Sequence, residues 1–145
     1  MFQNYSGKAV RAIMFARVEA GARGAEAIGA EHLLLGLFRA DMDLINRFYP
    51  SDASLVSCLA SLEAQATDGE KIPASVELPL SAEGERVLRY AAEEARGLAC
   101  KRIGSEHLLL GLIRGADGPA ARIIRECGFD ASLVRRNLSA GDAAA

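Results

Sequence analysis

The sequence predicts an all-α protein made of two four-helix repeats related by a pseudo-two-fold. Three observations predict it. A twelve-residue segment occurs twice, IGAEHLLLGLFR at residues 28–39 and IGSEHLLLGLIR at residues 103–114, with ten of twelve positions identical. Such self-similarity marks a duplicated structural unit. The same offset of 75 residues pairs Ser6 with Ser81, Arg11 with Arg86, Ile13 with Leu88, Phe15 with Tyr90, Ala16 with Ala91, Glu19 with Glu94 and Ala20 with Ala95. Finally, apolar residues recur with helical period almost throughout, and no stretch alternates as a half-buried strand would. Ala, Leu, Arg and Glu dominate, and all are good helix formers.

The elements follow in order. Helix one starts after Ser6, its N-cap, and carries Val10, Ile13, Met14, Ala16 and Arg17; Gly21 and Gly24 loosen its end. Helix two opens at Glu31 and is apolar nearly all round, so it belongs at the centre of its half. Gly36 inside it costs about 0.8–1 kcal/mol against Ala, which predicts a close helix crossing there and at Gly111. A short helix three covers residues 44–49 and stops before Pro50; Asp52 then caps a fourth through Leu55, Val56, Leu59 and Leu62. DASLV at residues 52–56 recurs at residues 130–134 with an offset of 78, so the first copy is three residues shorter there. Residues 66–80 hold Gly69, Pro73 and Pro79 without a helical stripe and read as an extended, mobile connector. Ser81 restarts the pattern: helix five to about Leu98, helix six over residues 106–114, helix seven after Asp117 with Pro119 in its first turn. Gly128 ends helix seven and Asp130 caps helix eight. The chain thus divides into repeat one (1–65), connector (66–80), repeat two (81–138) and a frayed tail (139–145) of a single domain.

Composition excludes several classes. The chain has 145 residues, is 50% apolar and has net charge −2, with basic and acidic residues interspersed. Bulk electrostatics gives nucleic-acid binding no support. No apolar run approaches the roughly 18 residues of a membrane span, and the opening MFQNYSGK lacks the apolar stretch of a secretory signal. Cys58, Cys100 and Cys127 are odd in number and form no CxxC. They read as small buried or half-buried hydrophobes in a reducing, cytoplasmic compartment. No GxxxxGK[ST] loop occurs, so this polypeptide has no phosphate loop for ATP hydrolysis. His32 and His107 have no partners at metal-ligand spacing. They read as structural groups that bond a backbone carbonyl and fix the motif loop. No catalytic residue, metal or cofactor is expected, and a monomer is, because eight helices can bury their stripes within one domain.

At the doubled IG[A/S]EHLLLGL motif the sequence resembles the Clp N-terminal repeat domain, the amino-terminal domain of Hsp100 unfoldases of the ClpC and ClpA type. The opening MF, GADGPAARII into helix seven and CGFD before helix eight match as well, and the resemblance reaches to about Leu138. It implies an eight-helix Clp-N fold and a receptor that collects substrates or adaptor proteins for unfolding. The first copy departs from the family at ADMDLINRFYP (40–50), which replaces a glycine-led, alanine-rich helix kept in the second copy at 116–128. Helix three should therefore be short or irregular, with Phe48 and Tyr49 either filling the gap or facing a partner.

The resemblance also implies sites. In some members, the glutamate at the position of Glu31 and Glu106 reads the guanidinium of a phosphorylated arginine. A carboxylate forks to a guanidinium, while helix-N-terminal amides and a neighbouring hydroxyl hold the phosphate. The alternative is that both glutamates only complement the helix dipole, at about 0.3–1 kcal/mol each. The family commonly has threonine just before the glutamate. Ser105 keeps a hydroxyl and an N-cap there, whereas Ala30 has neither, so the second half is expected to bind better. The second implied surface is a groove for adaptors or peptides near the first residues and the start of helix five: Phe2, Tyr5, Val10, Met14, Leu80, Glu85 and Arg89. Leu80 stands where an aromatic is usual, and Glu85 and Arg89 replace residues of other charge. Core packing competes for this surface and claims Ile13 and Val87.

The expected function is a protein-binding module that recruits substrates or adaptors to a Clp unfoldase–protease. The alternative is a free-standing accessory subunit that docks on the Clp ATPase or peptidase. The small-residue ending at 142–145, which reads as a terminus rather than a linker, leans toward the latter.

Overall fold

The computed structural model describes residues 4–48, residue 60 and residues 69–142, with side chains as far as Leu138. The described residues form seven helices: α1 Gly7–Ala22, α2 Ala30–Ala40, α3 Met42–Phe48, α4 Ala82–Gly97, α5 Ser105–Gly115, α6 Gly118–Cys127 and α7 Ala131–Asp142. The all-α expectation holds. The helix expected after Asp52 lies outside the described residues apart from Ala60, which is helical. So do Phe2, Tyr49 and Cys58.

The two repeats start alike. The Ser6 hydroxyl accepts from the Ala9 amide at 3.1 Å, and the Ser81 hydroxyl accepts from the Gly84 amide at 3.0 Å. Each bond satisfies one of the free N–H groups of a helix start. α1 packs on α2, α4 packs on α5, and the two central helices also touch each other. Residues 32–38 of α2 and 107–112 of α5 are all buried, as their unbroken apolar character requires. The crossings are as close as the glycines suggest. A Cβ on Gly36 would run into the Ala12 carbonyl oxygen and lie 2.8 Å from the Ala16 nitrogen. A Cβ on Gly111 would strike the Val87 carbonyl oxygen and lie 3.0 Å from the Ala91 nitrogen. Ala12 and Val87, and Ala16 and Ala91, are 75-residue counterparts.

Other repeat pairs converge as well. Arg39, which ends the first motif, bonds Glu19 at 3.0 Å and lies 4.4 Å from the Phe15 ring centre. Arg114, which ends the second, bonds Glu94 at 2.8 Å and lies 4.2 Å from the Tyr90 ring centre. One carboxylate, one guanidinium and one ring therefore fasten the long helix to the central helix in each half. In the second half Arg135 of α7 adds a two-pronged bond to Glu94 at 2.7 and 2.9 Å, which, with Arg114, holds that carboxyl below its usual range.

The halves are joined by an exchange. The segment before α1 pairs with the second motif: Ser6 donates to the Ile103 carbonyl at 2.9 Å, and Ile103 donates to the Asn4 carbonyl at 2.7 Å. The segment before α4 pairs with the first motif: Ser81 donates to Ile28 at 2.9 Å, and Ile28 donates to Pro79 at 2.8 Å. These two parallel bridges, Tyr5 with Ile103 and Leu80 with Ile28, are 75-residue images of each other.

Three expectations need correction here, and one turn was not foreseen. The described part of the connector is pinned to α1 rather than loose. Gly69 donates to Arg23, Ile72 donates to Gly21, and the Arg17 guanidinium donates to the Pro73 and Val76 carbonyls. Backbone groups that find no partner in a periodic element have found them on a neighbouring helix end. Next, α7 continues to Asp142, so four residues expected in the frayed tail extend the helix. The turn after α4 places Ala99 at φ 57°, where its counterpart Gly24 has φ 70°. An alanine hid that left-handed turn from the sequence reading, since such a φ favours glycine. Lastly, Cys127 is buried and disulfide-bonded. Reading all three cysteines as unpaired hydrophobes fails at Cys127.

α3 is short, as expected, at seven residues. It starts earlier than its apolar residues suggest, because the Asp41 carboxylate accepts from the Leu44 amide at 3.2 Å. Phe48 is buried and fills the core rather than facing outward. α6 and α7 begin as expected: Pro119 sits in the first turn of α6, Gly128 ends it at φ 80°, and Asp130 accepts from the Ser132 amide at 2.9 Å.

Candidate functional site

Each central helix starts one residue before its glutamate, with Gly29 and Gly104 as N-caps. Glycine has no side chain to cap with, and the motif histidine supplies the missing group. The Gly29 amide donates to His32 Nδ1 at 2.9 Å, and the Gly104 amide donates to His107 Nδ1 at 2.8 Å. The histidine plays the part of the glutamate or glutamine in a capping box. The structural reading of both histidines therefore stands, but the bond is the reverse of the one expected: each ring accepts an amide instead of donating to a carbonyl. Because Nδ1 accepts, the ring proton sits on Nε2. Burial pushes the His32 pKa down, against a smaller upward pull from Glu31, which keeps the ring neutral.

With the histidine holding the cap, the preceding glutamate is released outward. Glu31 and Glu106 have side chains 30% and 32% exposed. Both carboxylates fold back over the glycine: an added Cβ would lie 2.8 Å from Glu31 Oε1 at Gly29, and 3.0 Å from Glu106 Oε2 at Gly104. Among the described residues neither carboxylate has a cationic Lys or Arg partner. The arrangement suits a guanidinium or ammonium arriving from outside, and it also complements the helix dipole.

The flanks of the two helix ends differ. Ser105 is the first helical residue rather than the N-cap, which corrects the capping role expected of it. Its hydroxyl is buried and donates to Asp41 Oδ2 at 2.5 Å. Asp41 also faces Lys8 Nζ at 3.5 Å. At the first helix end Ala30 has no hydroxyl, and its amide donates to Glu83 Oε1 at 3.3 Å. Lys8 and Glu83 are 75-residue counterparts of opposite charge. Neither they nor Asp41 were singled out from the sequence. The sign change at one repeat position was the signal available there.

The residues of the expected groove are placed as follows. Tyr5 and Leu80 are half-buried lead-in residues, each packed on the core and each bridged to the opposite motif. Burial raises the Tyr5 pKa. Val10 is half-buried, while Met14 (61% exposed), Glu85 and Arg89 lie outward. Met14 and Arg89 are repeat counterparts, so the outward face of the long helix is apolar in one half and charged in the other. Ile13 and Val87 are core residues, as expected. Among the described residues no group of His, Cys, Asp and Glu is arranged to hold a metal ion, and no helix is long and apolar enough to cross a membrane.

This architecture defines a duplicated helical domain whose two central helices each carry a part-exposed glutamate in the first turn. Residues 79–141 match the family described as the Clp repeat (R) N-terminal domain. The chain is 38% identical over 139 residues to the chloroplastic ATP-dependent Clp protease ATP-binding subunit ClpA homolog of Brassica napus, covering 95% of this chain and 16% of that protein. The fold is similar to the N-terminal domain of the ClpD chaperone from Arabidopsis thaliana, with TM-score 0.71, 27% identity, and coverage of 94% of this chain and 92% of that one. The Hsp104 N-terminal domain from Candida albicans shares the fold at TM-score 0.74 and 15% identity, covering 92% and 88% of the two chains. The second repeat thus belongs to the Clp N-terminal repeat family, and the first repeat is its 75-residue image. The chain spans about one sixth of the length of its Brassica relative.

Proposed function

We propose that this chain is a protein-binding module that recruits substrates or adaptor proteins to a Clp unfoldase–protease, with the Glu106 helix end as its principal ligand site. The observation that carries the reading is the outward glutamate at a helix start. His107 takes over the capping task that would otherwise engage a side chain at that end, so Glu106 remains open to a cationic group. A phosphorylated arginine matches this chemistry: its guanidinium faces the carboxylate, and its phosphate faces the helix amides and Lys8. Since the Ser105 hydroxyl is engaged by Asp41, Lys8 and the backbone amides are the phosphate-facing groups in this reading.

The test is retention from native cell extract on the immobilised chain, with Glu106→Ala and Glu31→Ala in parallel. Retention of client proteins or one adaptor, lost in Glu106→Ala and largely kept in Glu31→Ala, is the expected result. Equal losses from the two variants would remove the ranking of the halves. Retention of the Clp ATPase or peptidase itself, indifferent to both variants, would replace cargo recruitment with docking on the protease.

A further inference from the structure

Glu83 stands out because the ligand reading does not use it, yet it reaches the first of the two helix ends. It is half-buried at the start of α4. Its Oε1 accepts from the Ala30 amide at 3.3 Å and its Oε2 accepts from the Asp117 amide at 2.7 Å. Ala30 opens α2 and Asp117 is the N-cap of α6, so one carboxylate spans two helix starts. Two oxygens on two N-terminal amides are the contacts that a phosphate would make. Asp117's own carboxylate is turned to Arg86 at 2.7 Å and leaves its amide to Glu83.

We infer that Glu83 is a built-in anion that fills the first helix end and restricts phosphorylated ligands to the second. This rests on the proposed ligand reading and deepens it by assigning the residue that separates the two repeats. The first end carries two carboxylates, Glu31 and Glu83, with the amide of Ala30 already engaged. A dianionic phosphate would have to displace a tethered carboxylate and then sit between like charges. At the second end the counterpart of Glu83 is Lys8, a cation. The nearby Asp41 carboxylate is directed to the Ser105 hydroxyl, the Leu44 amide and Lys8, not to the amides that open α5. The two ends therefore share the glutamate that meets a guanidinium and differ in the charge that a phosphate would meet.

The experiment follows backbone amides by two-dimensional NMR on the whole chain, with inorganic phosphate as probe. In the unaltered chain, phosphate shifts the Ala30 and Asp117 amides only weakly. In Glu83→Ala both amides shift saturably, with apparent affinity raised about five- to tenfold. A second measurement needs no variant: the Ala30 amide shift carries an acid titration step that coincides with that of the Glu83 carboxyl carbon. Phosphate shifts at Ala30 that are the same with and without Glu83, or an Ala30 amide that ignores the Glu83 titration, would overturn the inference. Failure of the ligand reading is seen separately, as silence of the Glu106 amide toward a phosphoarginine peptide, because the two helix ends report on different resonances.

Discussion

At the scale of single residues, the motif histidine is the key to the helix ends. Its Nδ1 accepts the N-cap amide, a bond that exists only while the ring is neutral. Burial holds the His32 imidazole below its ordinary titration range. The sign follows from linkage: the unfolded chain binds the proton more readily than the folded one, so stability is undiminished above about pH 6.5 and falls as pH drops below it. Urea unfolding at pH 7.5 and pH 5.5 should show this loss in the unaltered chain. His32→Gln cannot take up a charge there, and its pH dependence should be smaller, after an overall cost of about 1 kcal/mol for the altered cap. An identical pH dependence in the two proteins would remove His32 as the cause. The sequence announced the importance of Glu31 and His32 by repetition. It could not say which atom bonds which, because donor and acceptor roles depend on a ring orientation that only the packed helix end sets.

At the scale of helices, close approach governs the design. α1 and α2 touch at Gly36, and α4 and α5 touch at Gly111, with facing alanines or a valine backbone where larger groups would force the pair apart. Gly36→Ala places a methyl against the Ala12 carbonyl, and because the obstacle is backbone it cannot swing away. A loss of about 1–3 kcal/mol is expected, as for other overpacked cores, although alanine is the better helix former by about 0.8–1 kcal/mol. Chemical denaturation reads the sign directly: an Ala variant at least as stable as the parent would refute the tight crossing. The crossings were legible because a glycine that recurs at one place in two apolar helices needs a packing reason. The early start of α3 was not legible, because Asp41 sits before the apolar stripe and acts through its carboxylate on the Leu44 amide.

At the scale of the molecule, the exchange of lead-in segments makes each helix end depend on the other repeat. Residues 4–6 secure the loop that leads to Glu106, and residues 79–81 secure the loop that leads to Glu31. Removing residues 1–6 should therefore speed hydrogen exchange at Ile103 and its neighbours in the second motif, while Ile28 in the first stays protected by Pro79 and Ser81. Faster exchange at residue 28 instead would mean that the repeats are not joined in this way. The duplication and helical class could be read from the offset of 75 and the apolar period. The exchange could not, since two isolated backbone bridges leave no alternating pattern to detect. Nor could the opposed roles of Lys8 and Glu83, whose meaning depends on which helix start each side chain reaches.

The central claim is that the second repeat presents an open helix end at Glu106 for a phosphorylated guanidinium. Its most direct test is titration of a phosphoarginine peptide into the isotope-labelled chain, read at the amides of residues 104–107 beside those of residues 29–32. Saturable shifts at the second set, abolished by Glu106→Ala and weak or absent at the first set, are the predicted result. No response at residues 104–107, or one that Glu106→Ala leaves unchanged, would contradict it.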